Sequence, residues 1–160
     1  MKSKIKFDKI IFDFDGVILN SHVVKSNAFR NIFRKFNSKI SNQAFKYHLN
    51  NIGKTRYKKF KYILKKNFKH VNKFKIENLN IKFNEYCDKR IDKLKISPYL
   101  LKFLKKNFRS TKFYISTGTP ESKINEIVKK KKINKYFKKI NGSPKKKVEH
   151  IKMIIKNTNK

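Results

Sequence analysis

The feature that most constrains this chain is a short apolar run ending in acids, Lys9-Ile10-Ile11-Phe12-Asp13-Phe14-Asp15-Gly16. Its length and branched residues read as a buried strand. Gly16 breaks the pattern and lets the backbone turn with no side chain in the way. Asp13 and Asp15 then stand at the carboxyl end of the strand, where open α/β sheets bind ligands. Because the chain turns here, both carboxylates can face one pocket. Two carboxylates this close repel, and a divalent cation would relieve the repulsion. The chain has only ten Asp and Glu in 160 residues, so placing two of them at one strand end is a pointed use of scarce acids.

Downstream, residues 21–95 read as all-helical. Val23, Val24, Ala28, Phe29, Ile32, Phe33 and Phe36 follow helical spacing, and Phe45, His48 and Leu49 continue it in a second short helix ending near Gly53. Tyr57, Phe60, Ile63 and Leu64 mark a third helix. The segment from Phe74 to Leu94 marks a fourth, with Ile81, Phe83, Tyr86, Cys87 and Ile91 as apolar members. Ser97-Pro98 is a helix start, with Ser as the cap. Residues 111–116 read as a second strand and Thr119-Pro120-Glu121 as the cap of the next helix. Residues 136–140 read as a third strand, and Gly142-Ser143-Pro144 opens a last helix over about 146–156. Strand–helix alternation at both ends of the chain favours a parallel sheet.

Two of these strand ends carry further chemistry. Ser116-Thr117-Gly118-Thr119 puts hydroxyls and a glycine before a helix N-terminus, a pattern suited to phosphate and equally to an ordinary capping turn. Gly142-Ser143-Pro144-Lys145-Lys146-Lys147 offers a lysine that could reach a phosphate as a point charge.

Lys and Arg number 44 against ten acids, a formal charge of +34. Such a charge attracts anions, nucleic acid among them, without sequence preference. The lysines are nevertheless spread along the whole chain. The accompanying Asn, Ile, Phe and Tyr share their A/T-rich codons, so compositional drift accounts for them as a solvated surface. No apolar run approaches ~18 residues, which excludes a membrane span. Asp8, Asp13 and Asp15 interrupt any signal-peptide core. With the single Cys87 there is no internal disulfide framework and no four-cysteine zinc site. A cytoplasmic location is expected on these grounds.

Together the three elements resemble the haloacid dehalogenase-like hydrolase superfamily. Its first motif is an apolar strand followed by DxD, here Ile10 to Leu19 with Asp13 and Asp15. The second is a Ser or Thr at the next strand end, here Thr117 before Gly118. The third is a Lys, often in a GSPxxK context, here Lys147. Residues 48–56 with Lys59 and Phe60 are similar to the cap segment of the phosphoglycolate phosphatase and beta-phosphoglucomutase branch.

The resemblance implies an α/β fold, with a Rossmann-like parallel sheet core from residues 1–20 and 96–160 and an inserted helical cap at 21–95. It also implies a magnesium-dependent phosphatase acting on a small phosphorylated metabolite through an aspartyl phosphate. Asp13 would be the nucleophile and Asp15 the general acid and base. Thr117 would bind a phosphoryl oxygen, and Lys147 would neutralise charge. Gly16, Gly118 and Arg56 would contribute to phosphate or substrate binding. Mg2+ would bind Asp13 and the Asp15 carbonyl.

Two departures accompany it. Asn20 stands where the branch usually has Asp. The family's fourth motif, an acid on a later strand, is missing, since Glu149 is the only acid after Lys147. The expectation is therefore a chain truncated before that motif, with about three strands and an incomplete metal site. The rival expectation is an inactive remnant that binds polyanions such as nucleic acid through its lysines. Substrate identity and oligomeric state are not readable.

Overall fold

A computed structural model describes residues 7–52 and 54–156. Gly53, where the sequence places the end of the second helix, lies outside them. The described chain divides into two units. One holds the residues up to Asn20 and from Leu94 onward, and the other is Ser21–Lys93.

The first unit is α/β. Strand β1 is Lys9–Phe12. After the intervening unit come helix α5 (Pro98–Asn107), strand β2 (Lys112–Pro120), helix α6 (Glu121–Lys130), strand β3 (Phe137–Ser143) and helix α7 (Lys147–Lys156). The strands form one parallel sheet in the order β1-β2-β3. Phe12 pairs with Ile115 in register, and Ser116 pairs with Asn141. The carboxyl ends of all three strands therefore lie along one edge of the sheet.

Phe113, Ile115, Leu104, Ile124, Val128 and Ile154 are buried in this unit. The ring of Phe12 meets those of Phe103, Phe113 and Phe137 edge-on, at 6.3, 5.4 and 6.1 Å. Such edge-to-face pairs contribute ~0.5–1.5 kcal/mol each beyond area burial. They anchor the short first strand, which alternation alone could not hold in register.

The second unit is helical: α1 (His22–Arg34), α2 (Ser38–Leu49), α3 (Arg56–Asn67) and α4 (Lys73–Ile91). Its core is a phenylalanine cluster in which the rings of Phe29 and Phe60 lie 5.1 Å apart and those of Phe60 and Phe83 6.2 Å apart. Helix α2 starts well before the Phe45 at which its apolar spacing begins. Asn37 caps it, its side-chain oxygen accepting from the Ile40 N–H at 2.8 Å. Thr55 and Asn72 cap α3 and α4 in the same way. Ile81, an expected apolar member of α4, is exposed, as is Phe74 at the expected start of that helix.

Two expected caps do not form. Neither Ser97 nor any side chain at the start of α6 makes a cap bond. Proline ahead of or within each first turn removes one orphan N–H and presets the backbone, so a cap contributes less there.

Candidate active site

The turn after β1 is built on one carbonyl. Phe14 O accepts from the N–H groups of Val17, Ile18 and Leu19 at 3.3, 3.0 and 3.1 Å. Gly16 has φ 82°, a left-handed conformation that a side chain would strain. Its N–H donates to Leu19 O at 2.8 Å. Phe14, Ile18 and Leu19 are buried, so the turn is pinned from beneath while Asp13 and Asp15 stay partly accessible.

Asp13 is held from two sides. One carboxylate oxygen accepts from the Phe14 N–H at 2.7 Å. The other accepts from Lys147 Nζ at 2.5 Å, across 134 residues of sequence. Lys147 stands in the first turn of α7, just past the end of β3. The Lys146 N–H there donates to Glu149 Oε2 at 2.6 Å, which fixes the start of that helix.

Asp15 belongs to a second chain of contacts. The Thr117 hydroxyl donates to Thr119 Oγ1 at 3.4 Å, and the Thr119 hydroxyl donates to Asp15 Oδ2 at 3.3 Å. Thr117 Oγ1 also accepts from the Thr119 N–H at 3.2 Å. Thr117 is buried at the end of β2. Gly118 is exposed, and a Cβ there would meet nothing within 4 Å, so its backbone has no steric need for glycine.

Gly142 is the opposite case. A Cβ there would fall 2.5 Å from Glu121 Cα and 2.6 Å from Thr119 O. Its N–H donates to Glu121 Oε2 at 3.2 Å. Only glycine lets the end of β3 come this close to the start of α6.

Asp13 and Lys147 are thus in contact, and Asp15 is joined to Thr117 through Thr119. Arg56 belongs to the other unit. Its guanidinium donates to Asn84 Oδ1 at 2.8 Å and lies 4.5 Å from the Phe83 ring centroid. Burial lowers its pKa from the ordinary arginine value. Sequence reasoning missed Thr119, which it assigned to helix capping. A hydroxyl two residues after Thr117 on an extended segment shares its side of the strand, and that spacing was the available signal.

Magnesium takes hard oxygen donors, and proteins often supply only one or two carboxylates with water and substrate phosphate completing the shell. Asp13 and Asp15 offer such oxygens at one strand end. Among the described residues no group of three His, Cys, Asp or Glu could hold a metal. The donor set fits an ion shared with water and phosphate and does not fit one caged by protein.

The sequence profile of the haloacid dehalogenase-like hydrolases matches residues 10–159. The chain belongs to this family. No curated protein matches it in sequence. Among solved structures it is similar to a haloacid dehalogenase-like hydrolase from Bacteroides fragilis, with TM-score 0.70 and 17% identity over 96% of this chain and 74% of that one. A predicted phosphoglycolate phosphatase from Haemophilus somnus gives TM-score 0.66 and 15% identity over 89% and 65%. A haloacid dehalogenase-type hydrolase from Bacillus subtilis, described as bound to magnesium, gives 0.62 and 17% over 87% and 66%. Identities this low speak for the fold alone. The chain spans between 65% and 74% of the length of these three relatives. In the described part of this family member no helix is long and apolar enough to cross a membrane.

Proposed function

We propose that this chain is a phosphatase-type hydrolase of the family, acting on a small phosphate monoester, with Asp13 as nucleophile. The observation that carries the reading is the Lys147 ammonium on Asp13 Oδ2 at 2.5 Å, at the carboxyl edge of a parallel sheet. A half-exposed ion pair contributes only ~0–1 kcal/mol to stability, so its placement answers to chemistry better than to folding.

In the proposed reaction an Asp13 carboxylate oxygen attacks phosphorus and the P–O bond to the alcohol breaks. The alcohol oxygen takes a proton from Asp15. Asp15 then removes a proton from water, which attacks the aspartyl phosphate, releasing phosphate and restoring the Asp13 carboxylate. Thr119 orients Asp15 for both transfers. Lys147 opposes the charge that builds on the equatorial phosphoryl oxygens. The Thr117 hydroxyl lies at the adjacent strand end, suited to hold one of those oxygens. Magnesium would be held by Asp13 and the Asp15 carbonyl and would supply further charge neutralisation at the phosphate.

The units Ser21–Lys93 and the remainder correspond in this reading to cap and core, the cap selecting the substrate. The test is hydrolysis of p-nitrophenyl phosphate with magnesium by the purified chain and by Asp13→Asn. The substitution keeps shape and removes the nucleophilic charge, so turnover is expected to fall to background. Turnover retained in Asp13→Asn would remove the assigned nucleophile.

A further inference from the structure

Behind Lys147, the same helix carries a buried residue that the reaction above does not use. His150 has no exposed surface. Its Nδ1 lies 2.9 Å from Ser116 Oγ and its Nε2 lies 3.1 Å from Gly142 O. A carbonyl can only accept, so Nε2 carries the hydrogen. In the neutral ring Nδ1 is then the acceptor, and the Ser116 hydroxyl donates to it. One imidazole thereby ties three elements: α7, the end of β2 and the end of β3.

Each tie leads to the site. Ser116 immediately precedes Thr117. Gly142 is the residue whose N–H binds Glu121 and whose Cα packs against the start of α6. Lys147 is three residues before His150, on the same side of the helix. The neighbouring Asn141 adds a parallel strap, its Nδ2 donating to Ile115 O at 3.1 Å. A lysine on a flexible four-carbon stem is not placed by its own backbone alone. The helix that presents it must be fixed both along its axis and in rotation.

We propose that His150 is a positioning residue for the phosphoryl-transfer site: it fixes the rotation of α7 against the carboxyl ends of β2 and β3 and so sets the Lys147 ammonium on Asp13. The inference rests on the phosphatase reading of Asp13 and Lys147. Replacing the ring by an apolar one of similar size keeps the packing and leaves the Ser116 hydroxyl and the Gly142 carbonyl without their partner. Helix α7 is then free to settle slightly differently. A displacement of about 1 Å at a reacting group can cost ~100-fold in rate.

The experiment uses the full chain and two readouts. The first is kcat and KM for p-nitrophenyl phosphate with magnesium, alongside a thermal melt. The second is the 1H–15N spectrum of the lysine ammonium groups, with the Lys147 signal assigned by its loss in Lys147→Arg. His150→Phe is expected to lower kcat by roughly 10–100-fold with KM within about twofold, and to move the Lys147 signal. His150→Gln keeps a donor for Gly142 O and should recover most of the loss.

Unchanged kcat and an unmoved Lys147 signal in His150→Phe would overturn the proposal. So would a kcat loss that follows only the folded fraction and is not rescued by His150→Gln. If His150→Phe does not fold, Ser116→Ala removes the Nδ1 bond at little change in volume, and the same criteria apply to it. If the unaltered chain hydrolyses nothing, the phosphatase reading fails, and the Lys147 signal alone decides the positioning role.

Discussion

Asp13 and Lys147 illustrate how a weak interaction can be an informative one. Their side chains are 40% and 49% exposed, so water screens the pair and its contribution to stability is small. Replacing Lys147 by Ala should therefore shift stability by less than ~1 kcal/mol in a urea melt while removing phosphatase turnover. A loss of several kcal/mol would instead mark Lys147 as a structural residue.

The same residues show what was legible in the sequence. An apolar run ending in two of ten acids announces Asp13 and Asp15, and the order of the later motifs picks Lys147 out of many lysines. His150 was not legible, because one histidine in a lysine-rich helix gives no sign that its ring is buried between two strand ends. Thr119 was hidden by Pro120 and Glu121, which together read as a helix start. Arg56, the cation the resemblance assigns to substrate, donates to Asn84 and lies over Phe83, contacts that leave that assignment an expectation.

At the scale of elements, the lysines have a local logic. Helices α1 to α5 have no acid in the first turn, and each carries at least one cation in the last. Cations at helix C-termini complement the dipole, and Asn37, Thr55 and Asn72 satisfy the N-termini that acids would otherwise serve. Helix boundaries were misjudged where such a cap, and not apolar spacing, sets the start, as at α2.

One lysine breaks the surface pattern. Lys59 on α3 is buried, with Nζ 3.1 Å from His48 Nδ1 on α2 and 5.7 Å from the Phe29 ring centroid on α1. Burial, with the neighbouring charges of Lys25 on α1 and Lys54 ahead of α3, lowers its pKa from 10.5 to about 8. The unfolded chain then binds more protons than the folded one between pH 8 and 10.5, so stability rises with pH through that window and is flat below it. A shift of this size corresponds to something on the order of 3 kcal/mol. Lys59→Met removes the penalty. Its stability advantage over the unaltered chain should be largest at neutral pH and shrink toward pH 10.5 in urea melts. An advantage independent of pH would contradict the account.

Across the whole molecule, a charge of +34 on 160 residues must oppose compaction. Ion pairs such as Lys123 and Lys130 with Glu126 and Lys147 with Asp13 cannot offset it, because ten acids cannot neutralise 44 cations. Salt should therefore stabilise the fold, since the screening length falls to about 10 Å at 0.1 M. Raising sodium chloride from low to moderate concentration is expected to lift the melting temperature by several degrees, roughly 2–4 °C per kcal/mol for a chain of this size. A melting temperature that stays level or falls would mean that the lysines are already neutralised within the fold.

The central claim is that Asp13 takes the phosphoryl group. The most direct measurement incubates the chain with magnesium and a small phosphoryl donor such as acetyl phosphate, quenches in acid and maps adducts by mass spectrometry. The account predicts a phosphoryl adduct on the peptide that contains Asp13, absent from Asp13→Asn. An adduct on another residue, or hydrolysis that survives the substitution, would contradict it.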